Sequence, residues 1–229
     1  MTICVIPARG GSKRIPRKNI RPFAGEPIIA FSIKAAISSG CFDRVIVSTD
    51  DNEIRSIAIS LGAEVPVLRS DENSDDHSSV FNVMKETLDY LSSKESCSPR
   101  YVCCIFATAP FVTGKRIADA FEKMIKNNSD AIFPVVDFPY PIQRSLESKV
   151  DGTVGMVWPE HLLSRSQDLP RRFHDAGQYY WVKTSEMLSE GTLFVSRSSV
   201  EHISALLAQD IDTEEDWKIA ELKYGLLTC

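Results

Sequence analysis

A basic, glycine-containing segment near the start of the chain has the residue types that bind polyphosphates. Residues 9–18 contain two adjacent glycines, one serine and five cationic side chains: Arg9, Lys13, Arg14, Arg17 and Lys18. Glycines allow a backbone to approach a ligand with its amides exposed, and Arg and Lys supply the charge that phosphates need. The segment is neither a Walker A loop nor a Gly-x-Gly-x-x-Gly loop, so it predicts a phosphate-binding loop of another kind.

The alternative for this segment is a solvated basic loop that follows an edge strand. The residues before it, Ile3 to Ile6, form an apolar run that predicts a buried strand, and Pro7 ends the run. The cations therefore directly follow a strand, in a protein whose formal net charge is −5. This combination favours a nucleotide site over a solvated loop.

A second candidate site is the pair of aspartates near the C-terminus, Asp210 and Asp212. Alternate residues of an extended segment point to the same side, so the two carboxylates share a face while Ile211 turns to the core. Mg²⁺ takes one or two carboxylates together with phosphate oxygens and water. The alternative is that one aspartate merely caps the last helix, and the spacing alone leaves both possibilities open.

Two further polar clusters fit either a binding role or an ordinary surface. The loop from Leu68 to Ser79 contains Arg69 in a serine-rich, acidic stretch, which also fits a solvated turn with a serine helix cap. His174 beside Asp175 has the composition of a general base with its orienting carboxylate, or of two surface residues flanking a strand. The remaining histidines lack metal-ligand spacing, and no Gly-x-Ser-x-Gly nucleophile elbow occurs.

The elements that must position these residues alternate between strand and helix as far as residue 136. Apolar runs predict strands, and apolar residues at helical spacing predict helices between them. The strands are expected at residues 3–6, 45–47, 65–68, 101–106 and 131–136, and the helices at about 27–39, 52–61, 79–91 and 115–126. This alternation predicts an α/β fold, a three-layer sandwich with a mostly parallel, Rossmann-like sheet.

Four of the candidate residues follow predicted strands directly. In parallel α/β sheets, binding residues gather at the carboxyl ends of the strands. We therefore expect one cleft to contain Arg9, Asp50, Arg69 and Thr108.

The alternation stops after residue 136. Residues 138–170 contain four prolines, several aromatic residues and weak alternation, which predicts an extended, β-rich arm. A strand is expected again at residues 178–182. A last helix is expected to begin near Thr213, which forms a predicted capping box with Asp216.

Composition limits the classes of protein to which the chain can belong. Its 229 residues, 43% of them hydrophobic, suit a single domain spanning 1–229. No apolar run approaches the length of a membrane span, and the first residues lack the order of a signal peptide. The negative net charge argues against nucleic acid as a partner. Six cysteines without a Cys-x-x-Cys pair predict a reduced, cytoplasmic protein.

The first segment also resembles a known family. Ile-Pro-Ala-Arg-Gly-Gly-Ser-Lys-Arg-Ile-Pro-Arg-Lys-Asn, at residues 6–19, is similar to the motif of the CMP-N-acylneuraminate synthetases, which have a nucleotide-diphospho-sugar transferase-like fold. The resemblance implies a nucleotide site formed by Ala8, Arg9, Gly11, Ser12, Lys18, Asn19, Arg69 and Ser79. It also favours the metal interpretation of Asp-Ile-Asp-Thr-Glu-x-Asp at 210–216. The implied metal ligands are Asp210 and Asp212, with Mg²⁺ or another divalent cation, and the implied catalytic residues are Arg9, Lys18 and Asp212.

One position departs from the neuraminate enzymes. Phe106 stands where they usually have a glutamine taken to contact the sugar, and a ring cannot make that hydrogen bond. His-Asp-Ala-Gly-Gln-x-Tyr-Trp at 174–181 and Phe-Pro-Tyr-Pro-Ile-Gln-Arg at 138–144 instead resemble the pseudaminic acid cytidylyltransferases of the same family. The resemblance implies a sugar pocket formed by Phe106, Thr108, His174, Asp175 and Gln178.

The resemblance implies an enzyme that joins CTP to a nine-carbon 2-keto sugar acid and releases pyrophosphate. It also implies a homodimer, with the arm at 138–170 reaching towards the partner's site. Two alternatives stay open: the sugar is a neuraminate or a legionaminate, or the chain is a nucleotide-binding sensor without turnover. Intact Arg9, Lys18, Asp210 and Asp212 argue against the sensor, which has no need for both cations and both metal ligands.

Overall fold

The computed structural model describes residues 1–74 and 78–228. The strands are Thr2–Pro7 (β1), Pro22–Phe23 (β2), Glu26–Pro27 (β3), Arg44–Ser48 (β4), Tyr101–Ile105 (β5), Ala131–Asp137 (β6), Leu146–Ser148 (β7), Val154–Met156 (β8), Phe173–Asp175 (β9), Tyr179–Lys183 (β10) and Ser198–His202 (β11). The α-helices are Ile29–Ser38 (α1), Asn52–Ser60 (α2), Val80–Glu95 (α3), Gly114–Lys126 (α4), Thr184–Glu190 (α5) and Glu214–Thr228 (α6).

The central sheet has the strand order β11-β6-β10-β5-β1-β4, and β9 pairs with β6 outside this path. Strand β1 is parallel to both β4 and β5, and β11 is parallel to β6. Strand β10 runs antiparallel between β5 and β6, and β9 is antiparallel to β6. The prediction of a mostly parallel sheet is therefore confirmed.

Strand β1 shows how the sequence builds three layers. Its residues are apolar on both faces, as expected for a strand covered on both sides. Cys4 and Ile6 pack into a core under α1, α2 and α4, whereas Ile3 and Val5 face a second core under α3 and α5. The sheet is thus enclosed between two helical layers.

Register brings the carboxyl ends of adjacent strands together. Pro7, the last residue of β1, pairs with Ser48 at the end of β4. Strand β5 ends at Ile105 on the other side of β1. The segments after these strands, which contain Arg9, Asp50 and Phe106, therefore leave the sheet along the same edge.

The predicted strand at 65–68 is wrong. Beyond β4, pairing ends with an isolated bridge between Ile46 and Glu64, and Pro66 lacks the N–H that would continue a ladder. In contrast, β9, α5 and β11 were not predicted. β9 has only three residues, and burial along β11 does not alternate, so neither strand carries a clear pattern in the sequence.

The segment at 138–170 contains less β-structure than predicted. It has a small antiparallel hairpin, β7 with β8, and 3₁₀ turns at Ile142–Arg144, Pro159–His161 and Ser166–Asp168. Its prolines account for this, because they break ladders and favour turns. We refer to residues 138–170 as the arm.

Helix α6 begins as predicted, with the expected capping box. The Asp216 N–H donates to Thr213 Oγ1 at 3.2 Å, and the Thr213 N–H donates to Asp216 Oδ2 at 2.8 Å. Within the described residues, no helix combines the length and apolarity needed to cross a membrane.

Candidate active site

A cavity of about 520 Å³ lies at the carboxyl ends of β1 and β5. It brings together most of the residues predicted for the nucleotide site and some of those predicted for the sugar and the metal. Its predicted members are Arg9, Ser12, Lys18, Asn19, Arg69, Phe106, Thr108 and Asp212. The expectation of one cleft is therefore met for Arg9, Arg69 and Thr108, and Asp50 contacts the loop that forms its wall.

The basic loop is held by short polar contacts to its neighbours in the sheet. The Ala8 N–H donates to the Ser48 carbonyl at 2.9 Å. The Gly10 N–H donates to Asp50 Oδ1 at 2.8 Å. Buried Asn19 donates its side-chain amide to the Arg9 carbonyl at 2.9 Å. These bonds fix the loop's course and leave the cationic ends of Arg9 and Lys18 on the cavity.

Close packing against Asp51 explains why residue 10, the first of the two adjacent glycines, has no side chain. A Cβ at Gly10 would lie 2.9 Å from Asp51 Cβ and 2.8 Å from Asp51 Oδ2, so the loop fits there only without a side chain. A Cβ at Gly11 meets nothing within 4 Å. Gly11 is exposed and does not line the cavity.

Arg17 fastens the far end of the loop. It adopts the left-handed conformation, with φ of 56°, and its guanidinium donates to Asp51 at 2.5 Å and 3.0 Å and to Glu53. The Arg17 bond, with the backbone N–H groups at the start of α2, lowers the pKa of Asp51 to about 2. Of the five cations in the loop, Arg17 thus anchors the structure instead of facing the cavity.

Arg69 is a buried cation at the base of the cavity. Its Nε donates to Ser48 Oγ at 3.1 Å and its Nη2 to the Ser48 carbonyl, so β4 fixes the guanidinium. Burial lowers the pKa of Arg69, against the opposing effect of Asp50, yet guanidinium remains charged in proteins. A rigid cation here suits an acceptor-rich group such as a base carbonyl or a phosphate.

Asp212 meets the basic loop from the other side of the cavity. Its Oδ1 lies 2.9 Å from Arg14 Nη2 and 3.3 Å from Lys18 Nζ. Lys18 also donates to the Ile211 carbonyl at 2.5 Å. The cap of α6 is formed by Thr213, so Asp212 is not needed for that role. The carboxylate is therefore placed where two cations of the basic loop converge.

Asp210 points to a different cavity, of about 550 Å³, which also contains His174, Asp175 and Lys223. Partial burial raises the pKa of Asp210, and repulsion from the Asp212 carboxylate raises it further by a smaller amount. The sequence predicts both carboxylates on one face, yet Asp212 lines the first cavity and Asp210 the second. The two are still close enough for repulsion to be felt at Asp210, and a pair of carboxylates is a donor set that suits a hard divalent cation. No group of three or more such ligands occurs among the described residues, so substrate phosphate oxygens would have to complete the coordination.

A series of side-chain contacts through Phe106 and Tyr180 links the linings of the two cavities. The Phe106 ring lines the first cavity and lies 5.5 Å from the Tyr180 ring. Tyr180 in turn donates its hydroxyl to Asp175 Oδ2 at 2.5 Å, and Asp175 lines the second cavity. His174 also faces the second cavity, with its Nδ1 2.8 Å from the Asp175 carbonyl oxygen.

Four predicted site residues line neither cavity. They are Ala8, Gly11, Ser79 and Gln178. Ala8 is fully buried in the sheet core. Ser79 caps α3, accepting from the Asn82 N–H at 3.2 Å. The Gln178 amide is buried, accepts from Arg116 at 3.3 Å and donates to the Leu207 carbonyl, so its polar groups are already paired.

Some cavity residues were missed by sequence reasoning. Lys13 and Arg14 line the first cavity together with Ser78, Val80 and Val83, and Lys223 lines the second. Lys13 and Arg14 belong to the basic loop, whose positive charge could have identified them as site residues. Ser78 belongs to the predicted 68–79 loop, whereas Val80 and Val83 of α3 and Lys223 of α6 carry no motif. Asp75, Asp76 and His77 of the predicted 68–79 loop lie outside the described residues.

Together, the parallel sheet, the cationic loop and the opposing carboxylates define a nucleotide-binding α/β enzyme. The family model described as "Cytidylyltransferase" matches residues 3–215. The chain belongs to this cytidylyltransferase family, which confirms the resemblance of residues 6–19.

Three individual proteins illustrate the relationship. The pseudaminic acid cytidylyltransferase of Campylobacter jejuni is 42% identical over 222 residues, covering 97% of this chain and 95% of that protein. The N-acylneuraminate cytidylyltransferase A of Danio rerio is 34% identical, over 96% of this chain and 51% of its own length. A solved structure of CMP:2-keto-3-deoxy-manno-octonic acid synthetase complexed with CTP aligns with a TM-score of 0.69 at 14% identity, over 99% of each chain, which establishes a shared fold.

Proposed function

We propose that this enzyme transfers the CMP group of CTP to pseudaminic acid and releases pyrophosphate. The observation that carries the proposal is the meeting of Arg9, Lys18 and Asp212 in one cavity, next to a second cavity of similar size. The 42% identity to the Campylobacter jejuni enzyme, over nearly the full length of both proteins, supports pseudaminic acid as the acceptor. Use of CTP, an intracellular nucleotide, supports a cytoplasmic location.

The first cavity accounts for the nucleotide. Arg9 and Lys18 bind the triphosphate, and Ser12 and the loop amides donate to its oxygens. Arg69, fixed by Ser48, faces the cytidine, and Asn19 keeps the loop in place through its bond to Arg9. The catalysis required is mainly positioning and neutralisation of charge.

We infer that Asp210 and Asp212 hold Mg²⁺ against the phosphates. A bound metal would supply positive charge against the phosphates. Arg14 and Lys18, which contact Asp212 in this structure, line the same cavity and would pair with phosphate oxygens when nucleotide binds.

The second cavity accounts for the sugar acid. The C2 hydroxyl oxygen attacks the α-phosphorus, a new oxygen–phosphorus bond forms, and the bond to the β-phosphate oxygen breaks as pyrophosphate leaves. The hydroxyl proton passes to the aspartate pair. Of the two aspartates, Asp210 is the one that faces the second cavity. His174 and Asp175, with Phe106 between the cavities, shape the sugar pocket.

Pyrophosphate release on mixing the protein with CTP, Mg²⁺ and a panel of sugar acids tests the proposal. We expect turnover with pseudaminic acid well above that with legionaminic or N-acetylneuraminic acid. Comparable turnover with all three would make the enzyme a broad nonulosonate cytidylyltransferase. Binding of CTP without turnover of any sugar would favour the sensor.

The specificity should depend on Phe106. Pseudaminic acid has a C9 methyl and a second acylamino group where neuraminate has hydroxyls, and a hydroxyl against the ring loses about 1–3 kcal/mol of hydrogen bonding to water. Two such groups predict roughly a hundredfold or greater preference in kcat/KM for pseudaminic acid over N-acetylneuraminate. Steady-state kinetics with both sugars measures the ratio.

A pair of Phe106 variants separates the ring's polarity from its packing, since the ring also packs against both sheet cores. Phe106→Gln should lower the kcat/KM ratio of pseudaminic acid to N-acetylneuraminate about tenfold. Phe106→Leu keeps the side chain apolar and should leave that ratio unchanged. A wild-type preference below tenfold would show that Phe106 only fills the core.

We propose that the arm mediates a homodimer. It exposes several large apolar side chains, including Tyr140, Leu146, Val150 and Leu163, with Leu163 93% exposed. It also contains an open cavity of about 600 Å³ between Phe138 and Ser166. An exposed apolar surface of this kind is characteristic of an interface, and a two-fold dimer is the expected closure.

Light scattering at micromolar concentration should give the mass of a dimer. Leu163→Glu places a charge in the proposed interface and should shift the mass towards a monomer. Leu222→Glu is the matched control, because Leu222 is 71% exposed on α6, outside the arm, and should leave the mass unchanged. A monomeric wild-type protein would refute the dimer.

A further inference from the structure

A third hydrophobic cluster lies apart from the two cores that enclose the sheet, and both halves of the site contribute to it. Fully buried Ile15 comes from the basic loop, and fully buried Ile211 lies between Asp210 and Asp212. Trp217 of α6, 1% exposed, belongs to the same cluster. The aspartate segment and the basic loop therefore share a common apolar body, in addition to the polar contacts that tie the loop to the end of β4.

The polar edge of this cluster is the place where cations and carboxylates meet. Arg14, next to Ile15, lies 2.9 Å from Asp212, and Lys18 contacts both Asp212 and the Ile211 carbonyl. The Arg14 and Asp212 side chains are 67% and 37% exposed, and ion pairs so open to water contribute little to fixing a geometry. Close packing of the buried side chains is the stronger constraint.

Trp217 is the largest member of the cluster and lines neither cavity. Its ring lies edge-on to Phe23 at 5.6 Å, and Arg21 stacks over it at 4.4 Å. Its Nε1 donates to Glu221 at 3.1 Å. The ring thus joins Arg21 and Phe23, which follow the basic loop, to the first turns of α6, next to the aspartate segment.

We infer that Trp217 is a positioning residue that sets the separation between the cations of the basic loop and the aspartate pair. The inference rests on the proposed function, because that separation matters when nucleotide phosphates and a divalent cation must fit between the two. The loop has its own anchors at Asp50 and Asp51. A change at Trp217 should therefore disturb the metal site far more than nucleotide binding without metal.

The experiment compares Trp217→Phe with Trp181→Phe, the same change at another buried tryptophan. Trp181 lies in β10, stacked between Phe42 and Phe121, away from both cavities. Binding of Mn²⁺, measured by electron paramagnetic resonance with CTP present and no sugar acid, reports on the metal site without turnover. Calorimetric titration with CTP in the absence of metal reports on the loop, and the melting temperature reports on stability.

We expect Trp217→Phe to weaken Mn²⁺ binding at least tenfold, with CTP affinity without metal changed less than threefold. Trp181→Phe should lower the melting temperature but keep Mn²⁺ affinity within twofold. If Trp217→Phe fails to fold, Ile211→Val replaces it as a milder change in the same cluster. Ile211→Val should weaken Mn²⁺ binding at least threefold.

Three outcomes would overturn the inference. Unchanged Mn²⁺ affinity in Trp217→Phe, or in Ile211→Val when that variant takes its place, would refute it and leave the proposed function intact. Equal losses in the two tryptophan variants would reduce Trp217 to a general contributor to stability. Failure of the wild-type protein with CTP to bind Mn²⁺ would overturn the inference together with the proposed metal site.

Discussion

Replacing Lys18 with alanine should cost about 3–5 kcal/mol of transition-state stabilisation, the scale of removing one partner from a buried charge pair. That corresponds to roughly a 150- to 5,000-fold loss in kcat/KM. Lys18 contacts Asp212 and the Ile211 carbonyl and lines the nucleotide cavity. Its removal takes a cation from the triphosphate and a contact from the aspartate segment at once. Steady-state kinetics with saturating Mg²⁺ measures the loss.

The fold should survive this change, because Lys18 lies in a short 3₁₀ turn outside the sheet. Lys34→Ala is the control: Lys34 pairs with Glu26, and both side chains are about half exposed, so its removal should leave kcat/KM unchanged. Near-wild-type turnover in Lys18→Ala, with Lys34→Ala also normal, would remove Lys18 from the mechanism.

Replacing Asp212 with asparagine should raise the Mg²⁺ concentration for half-maximal activity at least tenfold. Asparagine keeps the shape of the side chain but loses the charge that a hard cation prefers. Thermal stability should change little, because Thr213 and Asp216 form the cap of α6. Titration of activity with Mg²⁺, alongside the melting temperature, separates the two properties.

Glu215→Gln provides the matched control for Asp212→Asn. It removes one exposed carboxylate from the first turn of α6, three residues from Asp212, and should leave the Mg²⁺ titration unchanged. Superimposable Mg²⁺ titrations for Asp212→Asn and wild type would show that Asp212 is not a metal ligand.

The nucleotide half of the site could be predicted because its signals are local. Charge, glycine and the preceding apolar strand occur within residues 3–18, and the capping box needs only Thr213 and Asp216. Each is decided by residues close in sequence. The chain's own fold then places Arg9, Lys18 and Asp212 in one cavity.

The sugar half was harder because tertiary contacts decide which polar groups are available. Gln178 belongs to the motif at 174–181 that predicts a sugar pocket. Its amide is instead paired with Arg116 of α4 and with the Leu207 carbonyl, which are both distant in sequence. Ser79 lies in a segment whose sequence resembles a nucleotide-binding loop, but in the structure it caps helix α3. Lys223 faces the second cavity from the last helix, a placement that no spacing within α6 could reveal.

The arm shows a second limit of structure prediction from sequence. Its apolar residues alternate weakly, as a β-rich segment would, but prolines divide it into turns and leave only the hairpin β7 with β8. In the proposed dimer a second molecule covers its exposed side chains, and one sequence contains no direct signal for that partner.

The most direct test of the central claim is product analysis after incubation with CTP, Mg²⁺ and pseudaminic acid. We expect equimolar pyrophosphate and a CMP-sugar in which cytidine monophosphate is joined to the sugar's C2 oxygen, detectable by phosphorus NMR and mass spectrometry. CTP alone should remain intact. Absence of the CMP-sugar, or release of phosphate or pyrophosphate that does not require the sugar acid, would contradict the account.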